Sequence, residues 1–268
     1  MSATTEQSST TPSPPFERIL CVTDLAPGGA EAVRQAAVLA GPGGAIELLS
    51  VAPWRAPGTP RPQAEQIEAL VRGTQLASAL RVRCNTHIVE AVDEPTGVLQ
   101  ACADHDLVVV PASEAGLEVL SRAPMTVLVA RRPSSASPFP DSVLAAVDAT
   151  AEAYTAARVG ARIAAWSDAP IAIVASPEHD ARHQHALQDD VRAVEEITGT
   201  RPLVLDEHRD PVPSILCAAA EMEASLIVLG RRPGRPMTRV STQVAGYADC
   251  SVLVVRPGSP LSSPGTPT

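Results

Sequence analysis

"RILCVTD" (residues 18–24) and "SVLAAVD" (residues 142–148) decide the fold of this chain. Each is a short apolar run closing on an aspartate, and the two aspartates, Asp24 and Asp148, stand 124 residues apart (148 − 24). The segments downstream of the two aspartates match in order. An Ala-rich helical stretch comes next in both places, EAVRQAAVLA and AEAYTAARVGARIAA, and then a second apolar run, AIELLSV and PIAIVAS. A polar helix, a third run (THIVEA; PLVLDE) and another Ala-rich helix come after it. The fourth runs are DLVVV and SLIVL, and the fifth are TVLVAR and SVLVVR, whose arginines lie 125 apart (256 − 131). A nearly constant offset across five strands and their helices marks a duplication.

Strands that alternate with helices imply right-handed crossovers and parallel sheets covered on both faces. The runs are continuously apolar rather than alternating, as expected of strands buried on both sides. The predicted fold class is α/β: two tandem doubly wound domains, each a five-stranded parallel sheet flanked by helices. The Ser/Thr/Pro-rich segments set the boundaries: a disordered segment over 1–15, domain 1 over 16–132, a linker over 133–140, domain 2 over 141–257 and a disordered tail over 258–268. Two folded copies imply two sheets, and a single continuous sheet would overturn this reading.

Composition narrows the function. Of 268 residues 45% are hydrophobic and only 2% aromatic, so the cores are built from Val, Leu, Ile and Ala, and no base-stacking platform is available. A net charge of −9 opposes broad attraction to nucleic acid or anionic lipid. No apolar run approaches the roughly 18–20 residues of a membrane span, and MSATTEQSSTTPSPP lacks the charged start and apolar centre of a signal peptide. A cytoplasmic location is expected, with no nucleic-acid or membrane partner. Cys21, Cys84, Cys102, Cys217 and Cys250 are odd in number and form no CxxC pair, which reads as buried, reduced thiols.

The first-strand aspartates, the helix entry PVPSILCAAAEMEASLIVLG and the closes VAGYADCSVLVVRP and VLSRAPMTVLVARRP together resemble the universal stress protein family in its tandem form. The resemblance implies a 3-2-1-4-5 strand order, with the ligand crevice between strands one and four. It implies an aspartate at the end of strand one that contacts a nucleoside. A loop after strand four of the form Gly-x-x-Gly, about nine residues, then Gly-Ser or Gly-Thr, cradles phosphate with backbone N–H groups. It also implies a stress-response or signalling role, and pairing through the fifth strands.

This chain departs from that loop. In the second half, LGRRPGRPMTRVSTQV (residues 229–244), Gly230 matches the first glycine, but Pro233 stands at the second, with Gly234 displaced by one. The later pair aligns with Thr238 and Arg239, and Pro233 and Pro236 remove two donors. Arg231, Arg232, Arg235 and Arg239 could supply phosphate contacts by guanidinium forks instead. With Asp148 and Ser241 they complete a candidate set for a degenerate nucleotide or anion crevice, with ATP or another adenine nucleotide as the cofactor implied. In the first half Pro111 replaces the first glycine, no basic residue follows, and Glu114 and Glu118 would repel phosphate, so no binding is expected there.

His179, His183 and His185 read as a solvated helix face, without a third metal ligand. No GxSxG, HExxH or GxxxxGK[ST] is present, so no catalytic residue is assigned and an enzyme is not expected. Two alternatives stand beside the leading one: a ligand-free protein-interaction module, and a weak nucleotide phosphohydrolase. Strand five is an apolar sheet edge in each copy, so Met125–Arg131 is expected to pair with Ser251–Arg256 as an intramolecular pseudo-dimer that could dimerise again.

Overall fold

The computed structural model describes residues 13–54, 63–131, 138–175, 181–206, 210–231 and 239–256. Its first half runs β1 (Ile19–Val22), α1 (Pro27–Ala40), β2 (Ala45–Pro53), α2 (Ala64–Ala79), β3 (Arg83–Ala91), α3 (Glu94–Ala101), β4 (Leu107–Pro111), α4 (Glu114–Arg122) and β5 (Thr126–Ala130). The second repeats it: β6 (Val143–Val147), α5 (Ala151–Ser167), β7 (Ile171–Ala175), α6 (Ala181–Thr198), β8 (Leu203–Asp206), α7 (Pro211–Glu221), β9 (Leu226–Gly230), α8 (Arg239–Tyr247) and β10 (Ser251–Val255).

The strands form one ten-stranded sheet, ordered β3-β2-β1-β4-β5-β10-β9-β6-β7-β8. The expectation of two separate sheets is therefore corrected. Its physical error is plain: docking two apolar edge strands side by side must fuse the sheets they belong to. The duplication survives the fusion, because each five-strand block keeps its own 3-2-1-4-5 order and its parallel ladders. Among the described strands only the junction, β5 with β10, is antiparallel.

That junction is a pseudo-two-fold axis. Leu128 pairs with Leu253, its own repeat equivalent 125 residues on, while Val127 pairs with Val254 and Val129 with Val252. Reciprocal contacts flank it, as an isologous interface requires. The Arg131 N–H donates to Ser251 Oγ at 3.0 Å, and the equivalent Arg256 N–H donates to Thr126 Oγ1 at 3.2 Å.

Two apolar cores run along the two faces. One joins α1, α2, α5 and α6 to alternate strand residues such as Ile19, Cys21, Val143 and Ala145. The other joins α3, α4, α7 and α8 to the intervening residues, Leu20, Val22 and Leu144 among them. With so few aromatics, small residues bring the helices close. Gly41, at φ +71 after α1, leaves room for the Trp166 ring of the other copy, whose Nε1–H donates to Val38 O at 3.2 Å. Helix starts follow capping chemistry: the side chains of Asp93, Ser113, Thr150 and Asp210 accept from the first-turn N–H groups of α3, α4, α5 and α7.

The cysteines form no disulfide. Cys21, Cys102 and Cys250 are buried, and burial pushes the Cys250 thiol up to about 11. Cys217 departs from the expectation: it is exposed, because α7 turns Ile215, Ala218 and Ala219 inward and leaves residue 217 on its outer side. No helix among the described residues is long and apolar enough to cross a membrane.

Candidate functional site

In the second half the crevice opens where β6 and β9, paired in parallel, end at Val147 and Gly230. Asp148 follows β6 directly and is exposed. The chain then turns through Ala149 at φ +58 into α5. Thr150 caps that helix by accepting from Ala153 N at 3.2 Å, and its hydroxyl donates to Asp148 Oδ1 at 2.5 Å. The capping role open to the aspartate thus falls to Thr150, and the exposed Asp148 carboxylate accepts from the Thr150 hydroxyl.

Gly230 has a packing reason to be glycine. A Cβ there would lie 2.5 Å from Glu152 O and 2.8 Å from Ala153 N, so only a bare backbone lets β9 end against the first turn of α5. Arg231 leaves the crevice altogether. It is 5% exposed, and its Nη1 donates to Leu120 O and Ala123 O at 3.1 Å while Nη2 donates to Ser121 O at 3.0 Å. Those carbonyls end α4 of the other copy, where a cation is favoured by the helix dipole. The reading of Arg231 as a phosphate arm is corrected on this ground: its fork is already committed to backbone acceptors. Ser241 is buried on α8, 3% exposed. Arg232, Gly234, Arg235, Thr238 and the side chain of Arg239 lie outside the described residues. Of the candidate set, the structure brings together Asp148 and Gly230.

The first-half crevice is built differently. Only Ala112 and Ser113 separate β4 from α4, against the eight residues 231–238 between β9 and α8. Ser113 Oγ accepts from Gly116 N at 3.0 Å, satisfying a donor that a phosphate would otherwise take. Asp24 Oδ1 accepts from Ala26 N at 3.0 Å. Acidic groups gather here: burial, then the charge of Asp24, raises the Glu94 carboxyl above its ordinary value. Glu118 is paired with Arg122 at 2.6 Å.

A cleft of about 450 Å³ lies beside the second crevice, between the start of α5 and α6. Ala149, Thr150 and Tyr154 form one side, and Asp189, Asp190 and Ala193 the other. Asp190 is 2% exposed. Burial, then the neighbouring charges of Asp189 and Asp148, pushes its carboxyl up to about 7. In the sequence Asp190 is one acidic residue within a polar helix. The signal was its spacing: with Val191 and Val194 it falls on the apolar stripe of α6, where a carboxylate has no reason to be. On the same helix His185 is solvated, 3.8 Å from Asp189, and His179 lies outside the described residues. No group of three or more His, Cys, Asp or Glu among the described residues is placed to hold a metal ion.

Comparison with known proteins matches one part of the chain to a family and most of it to solved structures of the same fold. Residues 172–256 match the Universal stress protein family. Among solved structures, a universal stress protein from Archaeoglobus fulgidus DSM 4304 superposes with a TM-score of 0.73 at 17% identity, covering 90% of this chain and 96% of that one. A functionally unknown protein from Pseudomonas aeruginosa PAO1 gives 0.66 at 17% identity, covering 90% and 93%. The cytoplasmic domain of a prokaryotic cation chloride cotransporter gives 0.53 at 13% identity, covering 80% and 84%. No curated protein matches the chain.

Proposed function

We propose, from the match of residues 172–256 to the Universal stress protein family, that the chain is a tandem stress-response protein of that family with one working crevice. Domain 2 binds an adenine nucleotide or a related anion beside Asp148 and Gly230, and domain 1 serves as its structural partner. It acts by binding rather than by turnover. The observation that carries this reading is the asymmetry of the two crevices. In domain 1 the helix after the fourth strand is reached in two residues and capped by Ser113. In domain 2 eight residues, 231–238, separate Gly230 from α8, and the carboxylate that follows β6 is held by Thr150. The crevice is degenerate in the sense that Pro233 and Pro236 offer no N–H.

Calorimetric titration with ATP, AMP and cyclic AMP tests it. Saturable binding that Asp148→Ala abolishes and Asp24→Ala leaves intact is the expected result. Flat titrations at millimolar nucleotide would turn the reading toward a ligand-free interaction module, and turnover abolished by Asp148→Ala toward a phosphohydrolase.

A further inference from the structure

The cleft between α5 and α6 has a property the nucleotide reading does not use. Asp190 sits at its wall almost wholly buried, and among the described residues no hydrogen bond or ion pair is made to its side chain. A buried carboxyl without a donor weakens a fold, and such groups gather where a ligand supplies the missing partner. The other charged groups facing the cleft sharpen the point. Asp148 stands at the end of β6; from α5 comes Tyr154, with Arg158 stacked 5.7 Å from its ring; α6 itself adds Asp189, Arg192 and Glu196. Arg192 sits 3.7 Å from Asp189 and Arg158 lies against the Tyr154 ring, so neither cation is paired with Asp190. Negative charge is in excess around Asp190, while the methyl groups of Ala186 and Ala193 give the cleft an apolar flank.

We propose that this cleft binds a small aliphatic cation, an alkyl amine or guanidine, whose charge pairs with Asp190 and whose methylene stem lies along Ala186 and Ala193. A volume of about 450 Å³ is at the lower end of small-molecule sites and suits a ligand of a few heavy atoms. An organic cation fits better than a metal ion, because the described carboxylates do not converge as a ligand set. The cation requires the ionised carboxylate. With Asp190 raised to about 7 by burial, then by Asp189 and Asp148, binding displaces a proton at lower pH, and affinity falls as pH drops.

The test is titration of the full chain with 1,4-diaminobutane, followed by calorimetry and by amide shifts in α5 and α6, with 1-butanol as the uncharged control. Saturable binding of the diamine without binding of butanol is expected, with affinity about tenfold higher at pH 8 than at pH 6. Asp190→Asn, nearly isosteric, weakens it at least tenfold and removes the pH dependence. Ala193→Leu, which fills the apolar side and spares the carboxyl, weakens it as well. Either no saturable binding by the wild-type chain up to about 20 mM, or equal binding by the folded Asp190→Asn variant, overturns the proposal. Neither outcome bears on the nucleotide crevice, which is read with a different probe.

Discussion

Replacing Arg231 by Met tests whether this arginine belongs to the interface or to the crevice. The side chain makes three hydrogen bonds of 3.0–3.1 Å to the carbonyls of Leu120, Ser121 and Ala123. A hydrogen bond from a charged donor contributes about 1.5–3 kcal/mol, and removing the donor leaves the end of α4 with buried acceptors. Against this, methionine relieves a buried cation. Burial, then the charge of Arg256, lowers the Arg231 pKa, the direction expected of a costly charge. The balance is a loss of about 2–4 kcal/mol, since breaking an established buried contact outweighs the relief. For a chain of this size that is a fall in Tm of roughly 5–15 °C. Arg231→Lys keeps the charge but cannot reproduce a planar fork over three carbonyls, so it falls between. Thermal unfolding of the full chain, with nucleotide titration in parallel, reads both roles. A variant that melts with the wild type yet loses nucleotide binding would refute the interface assignment and return Arg231 to the crevice.

Three further outcomes are expected. Gly230→Ala forces a Cβ to 2.5 Å from Glu152 O and should cost about 1–3 kcal/mol by displacing the first turn of α5; urea denaturation with an unchanged midpoint would disprove the close approach. Trp166→Phe keeps most of the ring over Gly41 but loses the 3.2 Å bond to Val38 O, for about 0.5–1.5 kcal/mol, and should be seen as a small fall in Tm. Asp190→Asn should make stability less dependent on pH. The folded-state pKa of Asp190 is raised, to about 7 from 3.8. The wild type therefore loses stability relative to the variant as pH climbs from about 4 to 7, by about 2–4 kcal/mol, and the difference levels off above. Denaturation midpoints of the two proteins that stay parallel from pH 4 to 8 would show that Asp190 ionises freely.

The duplicated fold was legible because its strands are apolar on both faces and its aspartates keep a constant offset. The junction was legible as well: an edge strand of Thr-Val-Leu-Val-Ala has no solvated way to end, and its copy is the nearest complement. Other features left no mark on the local sequence. Arg231 lies in a run of loop arginines, and nothing in that run shows which of them faces a helix end 111 residues away. Trp166 and Gly41 depend on each other across the pseudo-axis, so neither is informative alone. Cys217 looked buried because PVPSILCAAA is apolar all round, whereas only one side of α7 meets the sheet. Asp190 was visible in principle, as a carboxylate on the stripe that holds Val191 and Val194, but one charged residue in a helix of mean polar character does not stand out by composition.

The departures from two-fold symmetry arise from the chain being a tandem rather than two identical subunits. An isologous interface places the same residue on both sides of its axis, so a change that helps one side is imposed on the other. Here the sides differ freely. Arg231 N donates to Val255 O, and the matching bond in the first copy, Ala112 N to Ala130 O, shows that Ala112 is its counterpart. A side chain long enough to reach across the axis therefore exists on one side only. What it reaches is α4, the helix that follows β4 after only two residues. Gln35 obeys the same logic: it bridges Arg131 O and Ser251 Oγ from α1, where the second copy places Val159 in its core. Domain 1 thereby offers the surface on which the residue that follows β9 is fixed.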